Sequence, residues 1–188
     1  MSYDLHLFRV TAGKDPVEEV KAVFDEDIEE INPGLPDPHK DAVKTELAKK
    51  LQLINPALEV SPFDYAELAK LLKTTVQEAQ RQYRHLELNE ADGGDGIQIT
   101  LFDDTASLTI AYWHKGEKAR AVWREAWKYL ECLEAEGEFS TYDPQLGKIL
   151  NLRSDLDEVV KIYVWGTDAT EQAVLETMES KKPWWKFW

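Results

Sequence analysis

The chain has 188 residues, 43% of them hydrophobic and 31% charged, with a formal net charge of −14. That composition excludes a disordered chain, and the charge argues against nucleic-acid and anionic-lipid partners, which a negative field repels. The single cysteine, Cys132, excludes an internal disulfide framework and fits a reducing, cytoplasmic setting.

Tyr3 to Val10 alternates weakly and is rich in β-formers, which predicts a first strand. The same segment carries Asp4, His6 and Arg9, so it does not read as a signal peptide. Asp15-Pro16-x-Glu18 predicts a helix start, with Asp15 as cap, Pro16 in the first turn and Glu18 closing a capping box. Val17, Val20, Phe24, Ile28 and Ile31 keep helical spacing up to a stop at Asn32-Pro33-Gly34. Asp37-Pro38 predicts a second helix ending near Asn55-Pro56, Ser61-Pro62 a third and Thr75-x-x-Glu78 a fourth.

The stretch DYAELAKLLKTTVQEAQRQYRHLEL has the spacing of a helix-turn-helix. Ala69 and Ala79 fall at the small positions and Lys73 at the turn. Between Ser61 and Glu90 five acidic residues oppose four basic ones. A DNA reader carries a basic stripe, so these helices read as packing units.

The DGGDG loop, with Asp92 and Asp95, lacks the twelve-residue pattern of a calcium loop and reads as a turn entering a hairpin. In GIQITLFDDTASLTIAYWH a two-residue turn at Asp103-Asp104 pairs Phe102 with Thr105, Thr100 with Ser107 and Gln98 with Thr109. One face is then Ile97, Ile99, Leu101, Ala106, Leu108, Ile110 and Tyr112, a core face. The other is polar, with Phe102 and Trp113 at its far ends, and is expected to face solvent.

Gly116 to Glu136 predicts a long helix with Val122, Trp123, Ala126, Trp127, Leu130 and Leu133 as its apolar stripe. Cys132 lies off that stripe, flanked by Glu131 and Glu134, a setting that does not activate a thiol. Phe139 to Leu150 predicts a second hairpin around Asp143-Pro144-Gln145-Leu146-Gly147. Ser154-x-x-Asp157 and Asp168-x-x-Glu171 predict two closing helices.

The expected fold is α+β: an antiparallel sheet of the N-terminal strand and two hairpins, packed with several helices. Residues 1–182 read as one domain and 183–188 as an aromatic tail. That tail, with Trp184, Trp185 and Trp188, holds three of the seven tryptophans. It can dock on its own domain, on a partner or at a membrane interface, and no apolar run reaches the ~18 residues of a membrane span.

No nucleophile elbow, phosphate loop, HExxH or CxxC pattern is present, and no metal or cofactor is expected. MSYDLHLF, STYDPQLGKIL and the stretch from Phe63 to Leu150 resemble small bacterial α+β proteins of the kind found as immunity proteins in polymorphic-toxin and contact-inhibition systems. The resemblance implies a non-enzymatic protein that binds a basic partner, and it carries no catalytic residue. The candidate contact residues are Phe102, Trp113, Asp92, Asp95, Asp103, Asp104, Trp184, Trp185 and Trp188. The alternative is an enzyme or small-ligand domain using His6, His85, His114 and Tyr112. The oligomeric state is left open.

Overall fold

The computed structural model describes residues 2–11, 13–25, 36–90 and 94–180. Among them lie six helices and seven strands, and all seven strands form one antiparallel sheet. In chain order these are β1 (Ser2–Phe8), α1 (Pro16–Asp25), α2 (Pro38–Ile54), β2 (Leu58–Ser61), α3 (Tyr65–Leu72) and α4 (Val76–Gln82). Then come β3 (Leu86–Glu90), β4 (Ile97–Leu101), β5 (Thr105–Ala111), α5 (Gly116–Gly137), β6 (Ser140–Asp143), β7 (Lys148–Ile149) and α6 (Leu156–Ser180).

The strand order is β2-β3-β4-β5-β1-β6-β7. The N-terminal strand β1 lies between the two hairpins, pairing β5 on one side and β6 on the other. The β4–β5 register is the one that the two-residue turn dictates: Gln98 opposes Thr109, Thr100 opposes Ser107, and Phe102 N–H donates to Thr105 O at 2.9 Å.

The inner face of the sheet holds the core. Leu5, Leu7, Ile99, Leu101, Leu108 and Ile110 are almost wholly removed from water. Each such side chain contributes about 1.5–3 kcal/mol of hydrophobic burial. Helix α2 covers this face with Leu47 and Leu51, α5 with Trp123, Leu130 and Leu133, and α6 with Val159 and Tyr163. The outer face carries Asp4, His6, Glu87, Asn89, Gln98, Ser107 and Thr109, all half-buried, while Thr100 is only 8% exposed. At one end of that face Val20 of α1 packs on Phe8 and Tyr142.

Several caps follow from sequence. Asp15 accepts from Val17 N and Glu18 N, Asp37 from His39 N, and Thr75 from Glu78 N. At α1 it is Glu19 that reaches back, to the backbone and hydroxyl of Thr11. The predicted continuation of α1 through Ile28 and Ile31 lies outside the described residues.

Three elements differ from the sequence reading. Ser61 ends a strand and does not start a helix; α3 begins four residues later, where Asp64 accepts from Ala66 N and Glu67 N. Leu86–Glu90 is strand β3, its Leu86 and Leu88 alternating with Glu87 and Asn89 once the chain leaves α4. The two closing helices are one, α6, which runs through Gly166-Thr167-Asp168 without a break. Asp168 and Glu171 do not cap a new helix but both face Lys115, and Gly166 within α6 serves close packing. A Cβ there would meet the Tyr112 ring at 2.6 Å, and the helix stays hydrogen-bonded around it, with Thr167 and Thr170 hydroxyls donating to Tyr163 O and Gly166 O.

Candidate functional site

The candidate residues of the β4–β5 hairpin separate to its two ends. At the turn, Asp103 accepts from Lys44 Nζ at 2.6 Å and from Arg84 Nη2 at 2.6 Å. Lys44 is 3% exposed and also reaches Asp41 at 3.0 Å. Asp104 pairs with Lys40 at 2.5 Å and lies 3.9 Å from Arg9. Both turn carboxylates are therefore matched by cations of the same chain. Phe102 is half-buried, its ring 5.1 Å from that of His85, which in turn contacts Phe63 and Tyr83. This ring cluster joins α3 and α4 to the sheet.

At the far end, Trp113 is 62% exposed and covers Gly96. Gly96 has φ +67°, and a Cβ on it would meet the indole at 2.4 Å. His114 Nε2 lies 2.7 Å from Trp113 Nε1 and 2.7 Å from Asp95 O. Unprotonated, that nitrogen accepts the indole N–H; protonated, it donates to the carbonyl. The Asp95 carboxylate pairs with Lys118. Asp95 and Trp113 thus meet through His114. Asp92, Trp184, Trp185 and Trp188 lie outside the described residues.

The structure does not gather His6, His85, His114 and Tyr112 around one cleft. β5 and β4 separate His6 on β1 from His85 before β3, a gap of about 14 Å at the usual strand spacing. Tyr112 turns to the core, stacked on Tyr163 with centroids 5.3 Å apart. Burial lowers the pKa of both His6 and His85, which favours the neutral imidazoles. Among the described residues no group of three or more histidine, cysteine, aspartate or glutamate side chains is placed to hold a metal ion.

A concave site lies elsewhere, between the end of α5 and the segment after β7. One part, about 540 Å³, is lined by Glu134, Glu138, Phe139, Leu150 and Arg153 among others. The other, about 380 Å³, is lined by Glu131, Glu134, Ala135, Leu152 and Arg153. Glu134, Leu152 and Arg153 are common to both, so the two parts adjoin.

Glu131 and Glu134 sit at i and i+3 of α5 and share one face, and Glu138 follows just past its end. Glu138, at φ +58°, ends the helix. The last turn of α5 carries no basic residue, although acidic side chains are unfavourable beside the negative end of a helix dipole. Arg9 offsets part of this from outside: its Nε donates to Gly137 O at 2.9 Å and its guanidinium lies 4.6 Å over the Phe139 ring.

Glu131, Glu134 and Glu138 form no ion pair among the described residues. By contrast, Asp95, Asp103, Asp104, Asp155, Asp157, Glu158 and Glu171 each face a lysine or arginine of the chain. Burial raises the pKa of Glu134, and the neighbouring Glu131 adds to the shift. The i, i+3, i+7 spacing was visible in YLECLEAEGE. What the sequence did not show is that residues 149–153 return to wall the same helix face.

Comparison of the chain with protein-family profiles, with curated proteins and with solved structures yields no match. Among the described residues no helix is long and apolar enough to cross a membrane.

Proposed function

We propose that this protein is a non-enzymatic binding protein that takes a basic protein partner at the α5 groove, in the manner of an immunity protein neutralising a basic toxin. One observation carries the reading: Glu134 lines both parts of the groove, with Glu138 on the part of about 540 Å³ and Glu131 on the part of about 380 Å³, and among the described residues none of the three forms an ion pair with Arg153 or another cation, in a chain that pairs many of its other carboxylates with itself. Glu134 and Glu138 stand without an ion-pair partner at the negative end of α5, which disfavours their charge, and a lysine or arginine from outside relieves that repulsion.

Phe139, Leu150 and Leu152 supply the apolar floor on which the methylene stem of such a side chain packs. Arg153 lines both parts of the groove and offers the partner one donor for a carbonyl or carboxylate, fixing its orientation. The net charge of −14 adds long-range attraction, which speeds encounter with a basic surface and is screened by salt.

The experiment is kinetic. The association rate with the partner captured by this chain is measured against ionic strength, for the natural chain and for the triple variant Glu131→Gln, Glu134→Gln, Glu138→Gln. The reading requires a steep fall with salt in the natural chain and a rate at least about tenfold lower in the variant at low salt. Equal rates for the two proteins exclude the groove as the contact.

A further inference from the structure

The α3–α4 pair stands apart from the groove and from the acidity of the remaining chain. Helix α3 ends on Lys73, which adopts a left-handed conformation at φ 54°, and α4 starts at the Thr75 cap. The small residues Ala69 and Ala79 are buried. α3 and α4 pack chiefly on each other, and among the described elements neither packs extensively on a third.

An apolar face is left open as a result. Leu68, Leu71 and Leu72 share an arc of about 100° on α3 at the usual helical rotation. Leu71 is 76% exposed, and Leu72 and the neighbouring Val76 are exposed as well. Contiguous exposed apolar side chains rimmed by polar ones mark a contact surface.

The charge around this face narrows the occupant. Residues 64–82 hold three carboxylates (Asp64, Glu67, Glu78) and three cations (Lys70, Lys73, Arg81), so the segment is neutral within a chain of net charge −14. Asp64 serves as the α3 cap, and Glu78 pairs with Arg81 at 2.8 Å. Two copies of so acidic a chain repel one another over most of their surfaces, and this face brings them together without opposing carboxylates. Glu67 and Lys70 flank Leu71 on the same side with opposite signs. An antiparallel copy of α3 can therefore set each against its complement, the self-matching that a two-fold contact requires.

We propose that the α3–α4 face is a homodimer contact, in which Leu71, Leu72 and Val76 of two chains bury one another about a two-fold axis. The test is sedimentation velocity of the full chain over a concentration series. The expected result is a monomer–dimer equilibrium that Leu71→Asp weakens at least tenfold with an unchanged thermal midpoint, since Leu71 makes little contact within one chain. Glu67→Lys alone and Lys70→Glu alone also weaken the dimer, and the charge-swapped double variant restores it.

A chain that stays monomeric to its solubility limit overturns the proposal. So does a dimer indifferent to Leu71→Asp. A monomer that instead shifts a labelled DNA duplex in a Lys73-dependent way assigns the same face to nucleic acid and overturns it too.

Discussion

Lys44 lies almost wholly buried in α2 and donates to Asp103 Oδ1 at 2.6 Å, tying the tip of the β4–β5 hairpin to the helix beneath it. The same ammonium donates to Arg84 O at 2.8 Å, so one cation fixes both the hairpin turn and the chain entering β3. Removing one partner of a buried pair leaves the other charge uncompensated. Lys44→Met is expected to cost about 3 kcal/mol, the low end for such pairs because Asp103 keeps Arg84 and some solvent. Denaturant unfolding of the variant measures it.

Lys73 gives a prediction of opposite sign. Its φ of 54° is a conformation that glycine adopts without penalty and a β-carbon disfavours. Lys73→Gly is expected to stabilise the chain by about 1 kcal/mol, seen as a higher unfolding midpoint.

Gly166 resists the usual gain from alanine in a helix. The added Cβ would lie 2.6 Å from Tyr112 Cε1, and Tyr112 is held by its stack on Tyr163. Gly166→Ala is expected to lose about 1–2 kcal/mol, overpacking outweighing the gain in propensity. The near-ultraviolet signal of the tyrosines should change with it.

His85 sets a pH dependence of stability. Burial outweighs the nearby Glu87 carboxylate and holds His85 below its ordinary value of 6.5. The unfolded chain therefore binds more protons than the folded one as pH drops below 6.5. Stability is full above that value and declines as pH falls toward the folded-state value. His85→Phe keeps a ring beside Phe63, Tyr83 and Phe102 without the titration. Its stability should change less between neutral and mildly acidic pH than that of the natural chain.

Much of the sheet is legible in the residues because its signals are local. Asp103-Asp104 can form a two-residue turn, and with that turn the alternation on both sides gives the register and the core face. The strands β2 and β3 escape a local reading because Leu58–Ser61 and Leu86–Glu90 are short and abut helix caps, so Pro62 and the α4 pattern dominate their neighbourhoods. The division of α6 fails for a related reason: Asp168-x-x-Glu171 has the pattern of a helix cap, but both carboxylates face Lys115 from within a continuous helix, a contact no window of sequence contains. The contact residues show the same limit. Asp103 and Asp104 look free beside each other in sequence, and Lys40, Lys44 and Arg84 claim them in the fold. Glu131 and Glu134 draw notice in sequence only as neighbours of Cys132 and Glu138 not at all, and their role depends on the return of the chain at 149–153.

Glu134 sets the pH dependence of partner binding. Its raised pKa means that it takes up a proton at a higher pH than an ordinary glutamate, and a protonated carboxyl does not hold a cation. Affinity for a basic partner is expected to fall on acidification from above the usual carboxylate range, and Glu134→Gln should remove the earliest part of that fall.

The central claim is that the α5 groove receives a basic protein. Affinity capture from the native host, run side by side with the natural chain and the Glu131→Gln, Glu134→Gln, Glu138→Gln variant as baits, tests it most directly. A stoichiometric basic protein is expected on the natural chain and absent from the equally folded variant. Recovery of the same protein by both baits, or of an acidic one by the natural chain, would contradict it.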